Sequence, residues 1–255
     1  MAIIIKSPEE VAIMRQAGKV VSTILEKLAR SIKAGITTQR LDDIAVQELI
    51  KQGATSSFKG YKGFPASICV SINEEIVHGI PGAKLIKEGD IVSLDFGAIV
   101  NGFHGDAAIT VGVGEIKPRA KQLIEVARNS LGLGIAAAKL GARLSDVSHA
   151  VQGCAESLGF SVVREYSGHG IGREMHEDPQ IPNFGPSGLG PLLRKGMTLA
   201  IEPMINIGGW KTKVLGDNWT VVTDDGTPSA HFEKTIVVTD GEAEVLTPWD
   251  VVSNF

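Results

Sequence analysis

The sequence predicts a single α+β domain spanning residues 1–255, with a central curved antiparallel sheet and helices on its outer face. One observation is a hairpin signal. Asn101-Gly102, the preferred dipeptide of a two-residue turn, separates the apolar segment holding Asp95 from the segment holding Asp106. The other is a duplication, in which a helix-helix-hairpin pattern recurs at an offset of about 107 residues. Alternating strands and helices would also suit a doubly wound parallel sheet, but the hairpin argues against it.

In chain order, Pro8 to Ile32 reads as a helix, and Gly35 to Gly53 brackets a second amphipathic helix, ITTQRLDDIAVQELIKQ. KEGDIVSLD then leads into the hairpin. The second copy runs through a helical pattern from Pro118 to Leu140, a helix bracketed by Gly141 and Gly159, and RKGMTLAIE, so the repeats cover approximately 1–115 and 116–245. Gly89 precedes Asp95 by the same interval as Gly196 precedes Glu202, which makes those two carboxylates equivalent positions. Strands starting at Asp106 and Glu233 correspond in the same way. The halves differ in one loop, because 20 additional residues, Trp210 and Trp219 among them, lie between Glu202 and Glu233. No Ser/Gly/Pro-rich linker separates the copies, so ligands from both would meet near a pseudo-twofold axis.

The functional signal is a set of charges in apolar company. Asp95 lies inside IVSLDF, Glu202 inside MTLAIEPMI, and Glu233 enters TIVV through HFEK, so three carboxylates interrupt runs that read as buried strands. Lys234 is the only cation in those runs, and on a strand it points away from the face of Glu233. Divalent cations explain the carboxylates better than salt bridges do. Register supports this. With Asn101-Gly102 at the tip, Asp95 faces Ala108 and Asp106 faces Gly97, so the aspartates are diagonal neighbours with Cβ atoms about 7 Å apart. A one-residue slip would separate them.

A net charge of −4 provides no basic footprint, so no specific nucleic-acid partner is expected. Cys69 and Cys154 form no metal-binding pair pattern, no stretch approaches the length of a membrane span, and the apolar start AIII is too short for a signal-peptide core. A reduced, cytoplasmic setting is expected.

Taken with His169, the acidic set resembles the five ligands of the dinuclear "pita-bread" metallopeptidases, in the order Asp95, Asp106, His169, Glu202, Glu233. FPASICVSINEEIVHGIPG around His78, DFGAIVNGFHGDAA, YSGHGIGREMHEDPQIPN and AIEPMI are together similar to the type I methionine aminopeptidases, over nearly the whole chain. The short interval between Glu202 and Glu233 leaves no room for the helical insertion of the type II enzymes, and no Cys-rich extension precedes the domain.

The resemblance implies removal of an initiator methionine ahead of a small second residue, by attack of a hydroxide generated at two divalent ions. It implies that Asp95 chelates one ion, His169 and Glu202 hold the other, and Asp106 and Glu233 bridge them. Ligand type admits Mn(II), Fe(II), Co(II) or Zn(II). By the same resemblance His176 contacts the substrate carbonyl, His78 hydrogen-bonds the scissile amide, and Glu202 is the proton shuttle. Tyr61, Phe64, Cys69 and Trp219 match the side-chain pocket, with Met175 at a lining position where many relatives carry Phe. Partners would be peptide or nascent-chain N-termini beginning with Met, met by a monomer in transient contact with the ribosome.

Two other readings stand beside this one. A proline-specific peptidase of the same fold would usually carry a further N-terminal domain, whereas only about 90 residues precede Asp95 here. A catalytically dead peptide-binding module would be expected to have lost acidic ligands. His104 and His149 read as structural or solvent-facing, and His231 shares the strand face of Glu233 without being assigned as a ligand.

Overall fold

A computed structural model describes residues 2–250. Met1 and residues 251–255 of the expected domain lie outside the described residues. Among the described residues, four long helices form where glycines, prolines and caps delimit them. Helix α1 (Pro8–Ser31) starts with Pro8 in its first turn and a capping box between Ser7 and Glu10, which satisfies amide N–H groups that have no intrahelical partner. Helix α2 (Thr38–Gln52) is capped by the Thr37 hydroxyl and stops at Gly53 in the left-handed conformation. Helices α3 (Pro118–Ala137) and α4 (Leu144–Ser157) repeat the arrangement, α3 ending three residues before the expected Leu140.

The first hairpin joins Ile91–Val100 to Phe103–Gly112 through Asn101-Gly102, both of which adopt positive φ. Its register is the one read from the turn, Asp95 opposite Ala108 and Gly97 opposite Asp106. Cys69–Ile72 pairs along the other edge of Ile91–Val100 and sets Cys69 opposite Asp95. In the second half Thr198–Ile201 pairs with Lys234–Val237, and Ser167–Gly170 pairs with Thr198–Ile201. All of these pairs are antiparallel.

The two halves join by backbone and hydroxyl hydrogen bonds. The Glu233 N–H donates to the Ala108 carbonyl at 2.9 Å. Thr235 Oγ1 accepts from the Asp106 N–H at 3.1 Å and donates to its carbonyl at 2.8 Å. This seam puts Asp106 and Glu233, far apart in sequence, on adjoining backbone.

One expectation needs correcting. MTLAIEPMI is not one strand containing Glu202. It is two, Thr198–Ile201 and Met204–Asn206, and the second pairs in a different sheet with Ser229–His231. Pro203 has no N–H to give a ladder, so the strand breaks there and Glu202 sits at the break, released from the pleat. The 20-residue excess forms a small antiparallel pair, Thr212–Val214 with Val221–Thr223, which docks on Glu75–Val77 and carries Trp219 toward the same region. Trp210 goes elsewhere, with the Arg164 guanidinium over its ring.

The core lies between helices and sheets, where Leu25 and Leu28 of α1 and Leu123 of α3 share one apolar cluster with Phe96 and Ile109. Helix α1 approaches so closely that a Cβ on Gly105 would stand 3.0 Å from the Gly18 nitrogen. A Cβ on Gly18 would meet the Leu246 carbonyl oxygen at 1.9 Å. Gly18→Ala therefore sets the helical advantage of alanine, about 1 kcal/mol, against a clash with backbone that cannot rotate away. The clash is expected to win, with a net loss of about 1–3 kcal/mol in urea denaturation; unchanged or increased stability would contradict this packing.

Candidate metal centre

Asp106, His169 and Glu233 come together in the interior, each offering a ligand atom within 4.8 Å of the others. They are 3%, 5% and 2% exposed, too buried for three polar groups to rely on bulk water. Asp95 and Glu202 are half-buried, and both line the same cavity as these three. His169 Nδ1 lies 2.9 Å from the Gly170 carbonyl, and because a carbonyl only accepts, the proton sits on Nδ1 and leaves Nε2 a lone pair. That Nε2 lies 3.6 Å from Glu202 Oε1. Glycines permit this crowding: a Cβ on Gly168 would stand 2.4 Å from the Ala200 carbonyl oxygen, and on Gly170 2.2 Å from that of Asp178.

The donor set fits divalent cations. Asp95 Oδ1, Asp106 Oδ1 and Glu233 Oε1 are buried with no hydrogen-bond partner, which oxygens of native carboxylates seldom are. Among the described residues, the ion pairs of Glu202 reach imidazoles alone, His169 and His231. Lys234, the cation nearest in sequence to Glu233, lies over the Trp249 ring instead. Burial, reinforced by neighbouring carboxylates, lifts Asp106 and Glu233 well above the usual carboxylate range. Burial also raises Asp95 and Glu202 to about 7. These four acids lack positive charge, and oxygen donors with one imidazole suit hard or borderline dications.

A cavity of about 170 Å³ adjoins the cluster. Its apolar wall is Phe58, Phe64, Cys69 and Met175, with Tyr61 and Trp219 packed against them. Phe64 stands edge-on to Trp219 with ring centroids 5.1 Å apart. The structure thus brings together all five of the side-chain positions expected from sequence, including Met175, which is 8% exposed. His78 and His176 line the same cavity. Burial depresses His78 to about 4 and His176 to about 3, so both rings are neutral at physiological pH. The Tyr61 hydroxyl lies 2.8 Å from His176 Nδ1, and the His78 backbone takes φ 61, a left-handed strain of the kind that gathers at functional sites.

Sequence reading missed Phe58 and Lys62, both of which line the cavity. Lys62 sits in a turn with φ 48 that no local motif announces. His231 was set aside, yet it is 1% exposed and its Nε2 lies 3.6 Å from Glu202 Oε2. His149 lies on the surface away from the cavity, and His104 bonds Ser57 Oγ through Nδ1 at 2.9 Å.

Comparison with known proteins agrees with this geometry. Residues 12–240 match the sequence profile of metallopeptidase family M24. Methionine aminopeptidase 1 of Bacillus subtilis is 56% identical over 96% of this chain and 99% of its own length. The chain belongs to the type I methionine aminopeptidases of family M24. The crystal structure of the Thermotoga maritima methionine aminopeptidase superposes with a TM-score of 0.95 at 50% identity, covering 96% of this chain and 99% of that one. Prolidase from Pyrococcus furiosus shares the fold at a TM-score of 0.80, with 21% identity, and this chain covers 66% of it. The pita-bread architecture is therefore common to both branches, whereas the sequence likeness is to the methionine aminopeptidases.

Carboxyls raised by burial give metal-free protein an unusual pH dependence. At these carboxyls the native state retains protons that the unfolded chain releases near pH 4, so their contribution to stability falls as pH rises from about 4 to about 7, the reverse of a salt-bridged carboxylate. Neutral His78 and His176 pull stability the opposite way below about pH 6.5, so the carboxyl effect is read as a difference: EDTA-treated wild-type protein is expected to lose more stability in urea denaturation, or gain less, between pH 5.5 and pH 7.5 than EDTA-treated Glu202→Gln does. Mn(II) is expected to recover the wild-type loss at pH 7.5 by mass action. The same pH dependence in wild type and Glu202→Gln would contradict the unpaired cluster.

Proposed function

We propose that the chain removes the N-terminal methionine from peptides and nascent proteins, preferring a small second residue, and that it uses two divalent ions to do so. The reading rests above all on the juxtaposition of a sulfur- and aromatic-lined cavity with an uncompensated carboxylate cluster. Asp95, Asp106, His169, Glu202 and Glu233 would hold the ions. Mn(II), Fe(II), Co(II) and Zn(II) all suit this donor set. When bound, the ions supply a water acidified to near neutrality and an electrophile for the substrate carbonyl.

The protein's own groups do the rest. Tyr61, Phe64, Cys69, Met175 and Trp219 take the unbranched thioether, whose flexibility and polarizability suit aromatic rings and sulfur. With the Tyr61 hydroxyl donating to Nδ1, neutral His176 carries its proton on Nε2 and can donate it to the substrate carbonyl oxygen as negative charge develops there. His78, neutral for the same reason of burial, hydrogen-bonds the scissile amide. Glu202 accepts a proton from the attacking water and returns it to the leaving amine, a task suited to a carboxyl poised near neutrality. Cys69, opposite Asp95 in the register, ties the pocket floor to the ligand wall, so the methionine side chain fixes where the first peptide bond lies.

Among the described residues no helix is long and apolar enough to cross a membrane. We further propose that the protein works as a cytoplasmic monomer, meeting its substrates at the ribosome.

Metal-stripped protein reloaded with each candidate ion is expected to cleave Met-Ala-Ser, and to disfavour Met-Leu-Ser and Ala-Ala-Ser by roughly tenfold or more in kcat/KM. Preference for Ala-Pro-Ser would move the activity to the proline-specific kind, and inertness with every ion would favour a binding module. Glu202→Gln is expected to lower kcat for Met-Ala-Ser by about 10²–10⁴-fold. Wild-type turnover of that variant at full metal loading would remove Glu202 from the proton-transfer role.

A further inference from the structure

His231 is a buried histidine that neither the ligand set nor the substrate pocket uses. Its backbone is fixed on both sides by Thr110, whose hydroxyl accepts from the His231 N–H at 2.9 Å and lies 2.8 Å from the His231 carbonyl. The ring has nowhere to swing, being 1% exposed, and neither ring nitrogen has a hydrogen-bond partner. An imidazole N–H kept from water without an acceptor is costly, so a fold that encloses one usually has an acceptor close by. Here it is Glu202, whose Oε2 lies 3.6 Å from His231 Nε2. Closing that gap to ordinary hydrogen-bond length takes a shift of about 0.7 Å.

The other oxygen, Glu202 Oε1, faces His169 Nε2 at 3.6 Å, so the carboxylate is suspended between two imidazoles. One of them belongs to the ligand cluster and the other does not. Glu202 also lacks the support of a continuous strand, because the ladder breaks at Pro203. The Asn183 side chain holds its backbone carbonyl at 3.1 Å, which leaves the carboxylate's own rotation to be set by what its two oxygens meet.

We propose that His231 is a positioning residue for Glu202: its Nε2–H donates to Oε2 and turns the carboxylate so that Oε1 faces the ligand cluster. The inference rests on the reading of Glu202 as ligand and proton acceptor given above. Partners of this kind, one bond removed from a metal, fix ligand orientation and commonly change affinity or activity by about 10–100-fold when lost.

The test compares wild-type protein with His231→Leu, which has no donor, and His231→Gln, which retains an N–H donor on a side chain of similar reach. Calorimetric titration of each metal-free protein with Mn(II) measures affinity, and turnover of Met-Ala-Ser at saturating Mn(II) gives kcat and KM separately. His231→Leu is expected to bind Mn(II) about 10–100-fold more weakly and to lose kcat by a similar factor, with KM within about threefold of wild type. His231→Gln is expected to recover most of both. Wild-type affinity and kcat in His231→Leu would overturn the proposal, as would a His231→Gln variant that is folded yet as impaired as the leucine variant. Failure of wild-type protein itself to bind Mn(II) would instead bring down the metal-site reading, and the positioning role with it.

Discussion

Mutual repulsion among four inward-facing carboxylates is the constraint around which this protein is organised. Asp95 Oδ1, Asp106 Oδ1 and Glu233 Oε1 are buried without hydrogen-bond partners, and the Glu202 carboxylate faces only the His169 and His231 imidazoles. Apolar burial supplies the free energy to keep them there. Both hairpins are backed by helices, and the cluster occupies the seam where Asp106 and Glu233 meet through the Ala108 and Thr235 bonds. Charge of the opposite sign has to enter from outside the chain, and a site that demands it is a site that binds metal ions.

The same seam explains why chemistry and specificity sit together. Cys69 is held opposite Asp95 in one sheet, and His169 opposite Ala200 in another, so the pocket floor and the ligand wall are parts of continuous ladders rather than of separate loops. The loop bearing Met175 and His176 is anchored from behind by the buried Lys6–Glu177 ion pair. Side chains proposed to touch substrate are thereby carried on or anchored to rigid elements, which is what positional catalysis needs.

Much of this was legible in the sequence, and for identifiable reasons. The Asn101-Gly102 turn fixes the register of the first hairpin, so the relation of Asp95 to Asp106 follows from a period of two and one dipeptide. The helices were bounded by prolines, glycines and caps, which act locally. What escaped depends on contacts distant in sequence. Glu202 was read within a strand because its neighbours are apolar, and the effect of Pro203 appears only when the two flanking strands join different sheets. Lys62 reaches the cavity through a turn with left-handed backbone, and Phe58 lines it from just before that turn. His231 looks like an ordinary strand residue until Thr110, from the other half of the molecule, fixes it beside Glu202.

The measurement that tests the account most directly is anomalous diffraction from crystals grown with Mn(II). Two manganese peaks are expected in the cavity wall, with Asp106 and Glu233 contacting both, Asp95 one, and His169 and Glu202 the other. A single peak, or manganese bound only at the surface while the five side chains remain bare, would contradict the claim that this cluster exists to hold a pair of ions.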